Sequence, residues 1–250
     1  MKIFYYFHVS KTGGTSVVDF FKHVAERKPA CRFFDFNLWQ TVTAMTRATE
    51  IDLDVVVRSC LRDKIEHAFI HHHHGYEGLV ESAALLRRSK EELLARGHDM
   101  RIFTTIRDVV DFNTSRLNYL RQRQGLALTQ KDFLENEVHF NVQTKYVLKN
   151  WFGEWSPLQV LRNVARANLD EVAEIVDLFV DVSKLTEFLR TFAAFLQVDD
   201  YKCDVKKNKS DHRLTFTPLE QERLREKNDL DMYLLRFRSN FNDDVPRFFR

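Results

Sequence analysis

Apolar and aromatic residues occur along this chain in short continuous runs, separated by longer stretches with helical spacing. The first run, residues 3–9, is apolar or aromatic at nearly every position, the pattern of a strand buried on both faces of a sheet. Similar runs at 31–36, 68–70, 101–106 and 175–180 predict further strands. The late run at 175–180 is the last strand predicted.

Between these runs, apolar residues recur every three or four positions, as in a helix with one buried face. The predicted helices cover residues 16–25, 51–64, 79–96, 109–124, 130–173 (broken near Gly153 and Pro157) and 183–196. Gly97 predicts a C-cap and Ser183 an N-cap. Thr217 opens a C-terminal helix through a capping box with Glu220. Residues 199–215 are polar and aperiodic and predict a loop.

Strands that alternate with helices predict the α/β class, with a central, mostly parallel sheet flanked by helices in three layers. No low-complexity linker divides the chain, so we expect one domain over residues 1–250. Glycine and proline are scarce, at 7 and 4 residues, which argues against a β-sandwich with many turns.

Charge and cysteine content exclude several classes of protein. Lys and Arg number 38 against 36 Asp and Glu, so the sequence does not predict a general nucleic-acid binder. The three cysteines are widely spaced and predict neither disulfides nor a zinc site. The first apolar run is too short to span a bilayer. We therefore expect a cytoplasmic protein or a trimmed domain, with no transmembrane segment.

The segment between the first strand and the first helix carries phosphate-binding chemistry. Two glycines allow close backbone approach, and the N–H groups at a helix start attract an anion. Lys11 adds a positive charge, and hydroxyls can donate hydrogen bonds. The candidate residues are Lys11, Thr12, Gly13, Gly14, Thr15 and Ser16. The lysine precedes the glycines, unlike in a Walker A loop, where it follows them.

The string H-V-S-K-T-G-G-T-S-V closely resembles the 5′-phosphosulfate loop of sulfotransferases, particularly the heparan sulfate 2-O- and 6-O-sulfotransferases and their bacterial relatives. This resemblance implies a P-loop-like fold and the donor 3′-phosphoadenosine 5′-phosphosulfate, with no metal. It also implies that Lys11 stabilises the leaving phosphate while residues 12–16 hold the 5′-phosphate.

A second phosphate site is predicted at the end of the fourth run. Ser115 follows Arg107 by eight residues, about two helical turns, so both can reach one phosphate. The segment resembles the 3′-phosphate motif of sulfotransferases, with Val109 where the family often has proline. The alternative is a strand-end ion pair between Arg107 and Asp108.

A basic loop at residues 206–213 resembles the late loop of sulfotransferases that folds over the nucleotide. That resemblance implies nucleotide contacts from Lys209, Ser210 and Arg213. The alternative is a solvated, charged loop.

Four consecutive histidines follow the predicted strand at 68–70. Histidine is the usual general base near neutral pH, and strand alternation places His71 and His73 on one face. The segment resembles the family's His-Gly-His strand end, with Tyr76 as the following aromatic residue. The resemblance implies that His73 is the catalytic base and His71 its companion, although His72 replaces a usual glycine and the register could shift by one. A metal site or a structural run are the alternatives.

The phosphate loop, the histidine run and Arg107 each follow a different predicted strand at its carboxyl end, where open α/β sheets bind ligands. One cleft could therefore hold two phosphates and an acceptor hydroxyl, and the resemblance to sulfotransferases implies in-line sulfuryl transfer to that hydroxyl, with 3′-phosphoadenosine 5′-phosphate as product. The resembled branch implies a carbohydrate-like acceptor; a lipid, a small metabolite or a peptide tyrosine remain alternatives. Two other functions stay open: a Mg²⁺-dependent kinase or nucleotide hydrolase, and a non-catalytic module that binds a nucleotide or an acidic sugar.

Overall fold

The computed structural model describes residues 1–37, 53–73, 83–152, 162–201 and 214–250. Within them, five strands form one sheet in the order β2-β3-β1-β4-β5, and every neighbouring pair is parallel. The strands are β1 (Lys2–His8), β2 (Cys31–Asn37), β3 (His67–His73), β4 (Asp99–Ile106) and β5 (Leu178–Asp181). The predicted α/β class with a parallel sheet is confirmed.

Helices connect and cover the strands. In chain order they are α1 (Gly14–Arg27), α2 (Leu53–Arg62), α3 (Ala83–Ala95), α4 (Val109–Arg123), α5 (Gln130–Glu135), α6 (Val142–Phe152), α7 (Arg162–Ile175), α8 (Leu185–Phe195), α9 (Pro218–Lys227), α10 (Asp229–Leu234) and α11 (Phe241–Phe249). Short 3₁₀ turns lie at Glu137–His139, Val182–Lys184 and Leu235–Phe237.

The sheet buries both of its faces, which explains why its central strands are apolar at nearly every position. Helices α1, α8 and α11 pack on one face around an aromatic cluster. In that cluster, Phe21 stacks on Phe69 with ring centroids 4.7 Å apart, and Phe4 meets Phe192 edge-on at 4.6 Å. Helices α2, α3, α6, α7 and α10 cover the opposite face with mainly aliphatic residues. These layers form the predicted three-layer arrangement.

Several predicted boundaries are wrong. The last strand starts at Leu178 rather than at 175, because Ile175 and Val176 are buried at the end of α7. Ser183 does not cap α8: it lies in a 3₁₀ turn, where its backbone N–H donates to the Asp181 carboxylate at 2.8 Å. The predicted C-terminal helix is three helices, α9 to α11.

Two predicted helix ends are confirmed. Thr217 and Glu220 form the reciprocal capping box that starts α9. Gly97 follows α3 with φ +76°, the left-handed conformation of a C-cap glycine. None of the described helices combines the length and the apolar character that crossing a membrane requires.

Candidate active site

The predicted site residues that the structure describes lie at the carboxyl edge of the sheet, where β1, β3 and β4 end side by side. The phosphate loop (residues 9–13) follows β1, His73 ends β3, and Arg107 follows β4. The register places the Cα of His8 opposite that of His73 on the neighbouring strand. Parallel pairing therefore brings together three motifs that are distant in sequence.

Two residues of the phosphate loop adopt left-handed backbone conformations. Lys11 has φ +67° and Gly13 has φ +85°. A Cβ atom at Gly13 would also lie 2.6 Å from Leu185 Cδ2 of α8. Glycine is therefore required at position 13 both by its backbone conformation and by the close packing of α8.

Gly14 is required for a different reason. A Cβ atom built on Gly14 would overlap the imidazole of His8, with Nε2 the nearest ring atom. The interpretation of both glycines as a means of close approach to an anion is therefore incomplete. In this structure Gly14 makes room for a histidine side chain from β1.

Thr12 anchors the loop inside the fold. Its side chain is 0% exposed, and its hydroxyl donates to the Val9 carbonyl at 2.5 Å. A hydroxyl has one proton, so Thr105 donates to Thr12 Oγ1 at 2.8 Å, and Tyr6 donates to Thr105 at 2.7 Å. In this conformation the one proton of the Thr12 hydroxyl goes to the Val9 carbonyl, and contact between Thr12 and a phosphate stays a prediction.

The start of α1 fits an anion. Its N-cap is Gly13, no side chain caps the helix in the described structure, and its first turn contains no acidic residue. The first N–H groups of such a helix have no intrahelical acceptor and carry the positive end of the helix dipole. Thr15 is exposed and Ser16 is half-buried, so both hydroxyls remain accessible there.

The Lys11 ammonium lies over the ring of Tyr119 from α4, 3.2 Å from its centroid. Burial, followed by repulsion from Arg123, lowers the pKa of Lys11 to about 8. A partly desolvated cation close to a second cation can receive a negatively charged ligand.

Arg107 is positioned through its main chain. Gln143, at the start of α6, accepts from the Arg107 backbone N–H and donates to the Arg107 carbonyl, both at 2.9 Å. Gln143 is 0% exposed. The guanidinium donates to the Lys11 carbonyl at 3.5 Å, so Arg107 borders the phosphate loop. Ser115 is half-buried on α4, eight residues farther along.

Strand alternation at the histidine run is confirmed for the residues that the structure describes. His72 points to the face opposite His71 and His73, where its Nδ1 lies 2.7 Å from Tyr5 Oη. His71 and His73 share one face with ring planes 13° apart. His71 is only 2% exposed.

His71 connects two residues to which the sequence alone assigns no role. Its Nδ1 lies 2.7 Å from Asp35 Oδ1 of β2, and its Nε2 lies 3.1 Å from His8 Nδ1. A carboxylate can only accept, so His71 donates from Nδ1. A neutral His71 then accepts at Nε2 from His8. We call Asp35, His71 and His8 the buried chain after its central residue, since His71 is buried, His8 is half-buried and Asp35 is partly exposed.

His73 is half-buried and stacks on His8, with ring centroids 4.0 Å apart. Its Nδ1 donates to the His8 carbonyl at 3.3 Å, which leaves the lone pair of a neutral ring on Nε2. Burial is the main cause that lowers the pKa of His73 below its usual value. A neutral imidazole with an available Nε2 can accept a proton near pH 7.

The remaining predicted contacts fall outside the described residues: Lys209, Ser210 and Arg213 of the basic loop, together with His74 and Tyr76. Among the described residues, no group of three or more His, Cys, Asp or Glu side chains is arranged to hold a metal ion.

A family model matches the middle of the chain. The model described as EAL-domain associated signalling protein domain matches residues 51–205, more than half of the chain. Over these residues the chain belongs to that family. The match begins after β2, so it leaves out β1, the phosphate loop and α1. Membership of this signalling-domain family therefore says nothing about the ligand of that loop.

The fold as a whole is similar to a solved sulfotransferase. The crystal structure of the sulfotransferase from Alicyclobacillus acidocaldarius matches with a TM-score of 0.50, over 99% of this chain and 98% of that chain, at 15% identity. At this identity the likeness shows the fold alone: a P-loop-like, three-layer α/β fold. It identifies no branch of sulfotransferases. No curated protein matches the sequence.

Proposed function

We propose that this protein is a sulfotransferase that moves a sulfuryl group from 3′-phosphoadenosine 5′-phosphosulfate to a hydroxyl of a carbohydrate-like acceptor. The observation that carries the proposal is the meeting of Lys11, Arg107 and His73 at one edge of the sheet. Two cations beside an uncapped helix start fit a donor with two phosphates, and an accessible neutral histidine fits an acceptor hydroxyl.

The donor would be held at both of its phosphates. The start of α1, with Lys11, Thr15 and Ser16, would hold the 5′-phosphosulfate, and Arg107 with Ser115 would hold the 3′-phosphate. Gln143 supports this assignment because it fixes the main chain of Arg107 next to the loop. The order of the loop, with lysine before the glycines, favours this donor over a Walker A nucleotide.

In the proposed reaction His73 Nε2 takes the hydroxyl proton while the acceptor oxygen forms its bond to sulfur. The bond between sulfur and the bridging oxygen breaks, and its electron pair leaves with 3′-phosphoadenosine 5′-phosphate. Lys11 stabilises the charge that develops on this leaving group. The buried His71 acts through other residues and does not touch the acceptor.

A second candidate is a non-catalytic sensor that binds the same nucleotide. The match to a signalling-domain family favours this candidate, because the matched residues include β4 and Arg107, which belongs to the proposed 3′-phosphate site. Binding without transfer to any hydroxyl acceptor would support this candidate.

Calorimetric titration tests the donor site. We expect 3′-phosphoadenosine 5′-phosphate to bind more tightly than ATP with Mg²⁺, and Arg107→Ala to weaken binding about 10- to 200-fold, the loss of a charge-assisted pair. Arg101→Ala is the matched control, because Arg101 lies on β4, the strand that Arg107 follows, and pairs with Asp99. Preference for ATP with Mg²⁺, or equal affinity in both variants, would contradict the proposal.

A further inference from the structure

The chemistry of the proposed base depends on the residue on which it stacks. His73 Nε2 gains a positive charge when it takes a proton, and its ring lies 4.0 Å from that of His8. A neutral imidazole stabilises a cation over its face, whereas a protonated one repels it. The protonation state of His8 therefore decides whether the stack helps or hinders proton uptake.

The buried chain fixes that state. Asp35 accepts from His71 Nδ1 at 2.7 Å, and His71 Nε2 accepts from His8 Nδ1 at 3.1 Å. One proton on each ring satisfies both bonds. The remaining His8 nitrogen, Nε2, lies against Gly14, where it is the ring atom nearest to the position that a Cβ atom would take. Burial also lowers the pKa of His8 well below its usual value.

We propose that Asp35, His71 and His8 are positioning residues that keep His8 neutral against His73 and so stabilise the imidazolium formed when His73 takes the acceptor proton. This proposal rests on the proposed function, since it requires His73 to be the base. The proton itself stays on His73 until product release and then leaves to solvent. No covalent bond of Asp35, His71 or His8 forms or breaks during the transfer.

The charges around His73 support this role. In the described structure His73 is faced by His8, His71 and Asp35, and His8 is faced in addition by Tyr6 and Lys11. Burial raises the pKa of Tyr6, which stays protonated. Asp35 is the one carboxylate of this set, and it raises the pKa of His73 against the effect of burial.

Asp35→Asn tests the proposal, because an asparagine oxygen can still accept from His71 but carries no charge. In the transfer reaction we expect kcat at pH 7 to fall about tenfold, less than the loss of about 10²–10⁴-fold expected when a general base itself is removed. The acid limb of the kcat profile should move to lower pH, because the imidazolium loses its stabilising charge. Binding of 3′-phosphoadenosine 5′-phosphate should not change.

Asp99→Asn is the matched control, since it removes a partly buried carboxylate at the opposite edge of the sheet. An Asp35→Asn variant with the same kcat profile as Asp99→Asn would overturn the proposal.

A measurement on the unaltered protein keeps the test independent of folding and of activity. Long-range ¹H–¹⁵N spectra distinguish the two histidine tautomers. We expect a proton on Nδ1 of both His71 and His8 at neutral pH. A proton on His8 Nε2 would contradict the hydrogen bonds assigned to the buried chain, and so the proposal, whether or not sulfuryl transfer is observed. Absence of transfer with the expected tautomers would instead contradict the proposed function.

Discussion

Gly14→Ala should destabilise the protein through a contact that the sequence does not reveal. The new methyl group would occupy the space of the His8 imidazole, so the ring must move. That movement breaks the 3.1 Å hydrogen bond to His71 and disturbs the 4.0 Å stack on His73. In an ordinary helix the same change is favourable, because alanine has the higher helix propensity.

The magnitude follows from two costs. Inserting a methyl group into a packed site costs about 1–3 kcal/mol. A buried nitrogen left without its partner costs about 1–3 kcal/mol more. Against a gain of about 1 kcal/mol from helix propensity, the free energy of unfolding should fall by about 1–5 kcal/mol. For a chain of this size, each kcal/mol lowers Tm by about 2–4 °C.

Urea unfolding followed by circular dichroism measures this loss. Gly97→Ala is the control: a Cβ atom there meets nothing within 4 Å, and its cost is limited to the left-handed backbone, about 1–2 kcal/mol. Combining Gly14→Ala with His8→Ala should restore stability relative to the sum of the two single changes. A Gly14→Ala protein as stable as the parent, or strictly additive effects, would refute the reasoning.

Three further predictions concern the phosphate loop and its supports. Because the pKa of Lys11 is lowered to about 8, binding of 3′-phosphoadenosine 5′-phosphate should weaken as the pH rises through 8 and above. Lys11→Arg should remove this pH dependence. Calorimetry from pH 7 to 9.5 measures the affinities, and an unchanged pH dependence in Lys11→Arg would contradict the prediction. Tyr119→Leu removes the cation–π contact with Lys11, worth about 0.5–2 kcal/mol, so the loss of affinity should begin at lower pH. Tyr119→Phe keeps an aromatic ring and should leave the pH dependence unchanged. Equal pH profiles in both variants would count against the contact. Gln143→Met removes both hydrogen bonds that Gln143 makes to the part-buried main chain of Arg107. Two such bonds are worth about 1–3 kcal/mol in all, so the urea midpoint should fall by that equivalent, and an unchanged midpoint would contradict this support.

Local patterns in the sequence predict much of the fold, since the central strands are apolar on both faces and alternate with helices. The late strand is the exception. Ile175 and Val176 continue the buried stripe of α7, so the same apolar letters suit a helix end as well as a strand. Whether they belong to the helix or to the strand depends on packing against the sheet, which the local spacing of apolar residues does not indicate.

The site is predicted where its chemistry lies within one segment. The phosphate loop, Arg107 and the alternation of the histidines are readable in this way. Asp35 and His8 are not, because their contact with His71 depends on the order of the strands in the sheet, which the sequence does not state. His8 ends β1 directly before the loop, and strand alternation combined with parallel pairing would have pointed to it.

The most direct test of the account is transfer from ³⁵S-labelled 3′-phosphoadenosine 5′-phosphosulfate to a panel of hydroxyl acceptors led by oligosaccharides. The parent protein should label an acceptor without added metal and release 3′-phosphoadenosine 5′-phosphate. His73→Ala should bind the donor equally well and lose transfer by about 10²–10⁴-fold. Donor binding with no labelled acceptor, or undiminished transfer by His73→Ala, would contradict the account.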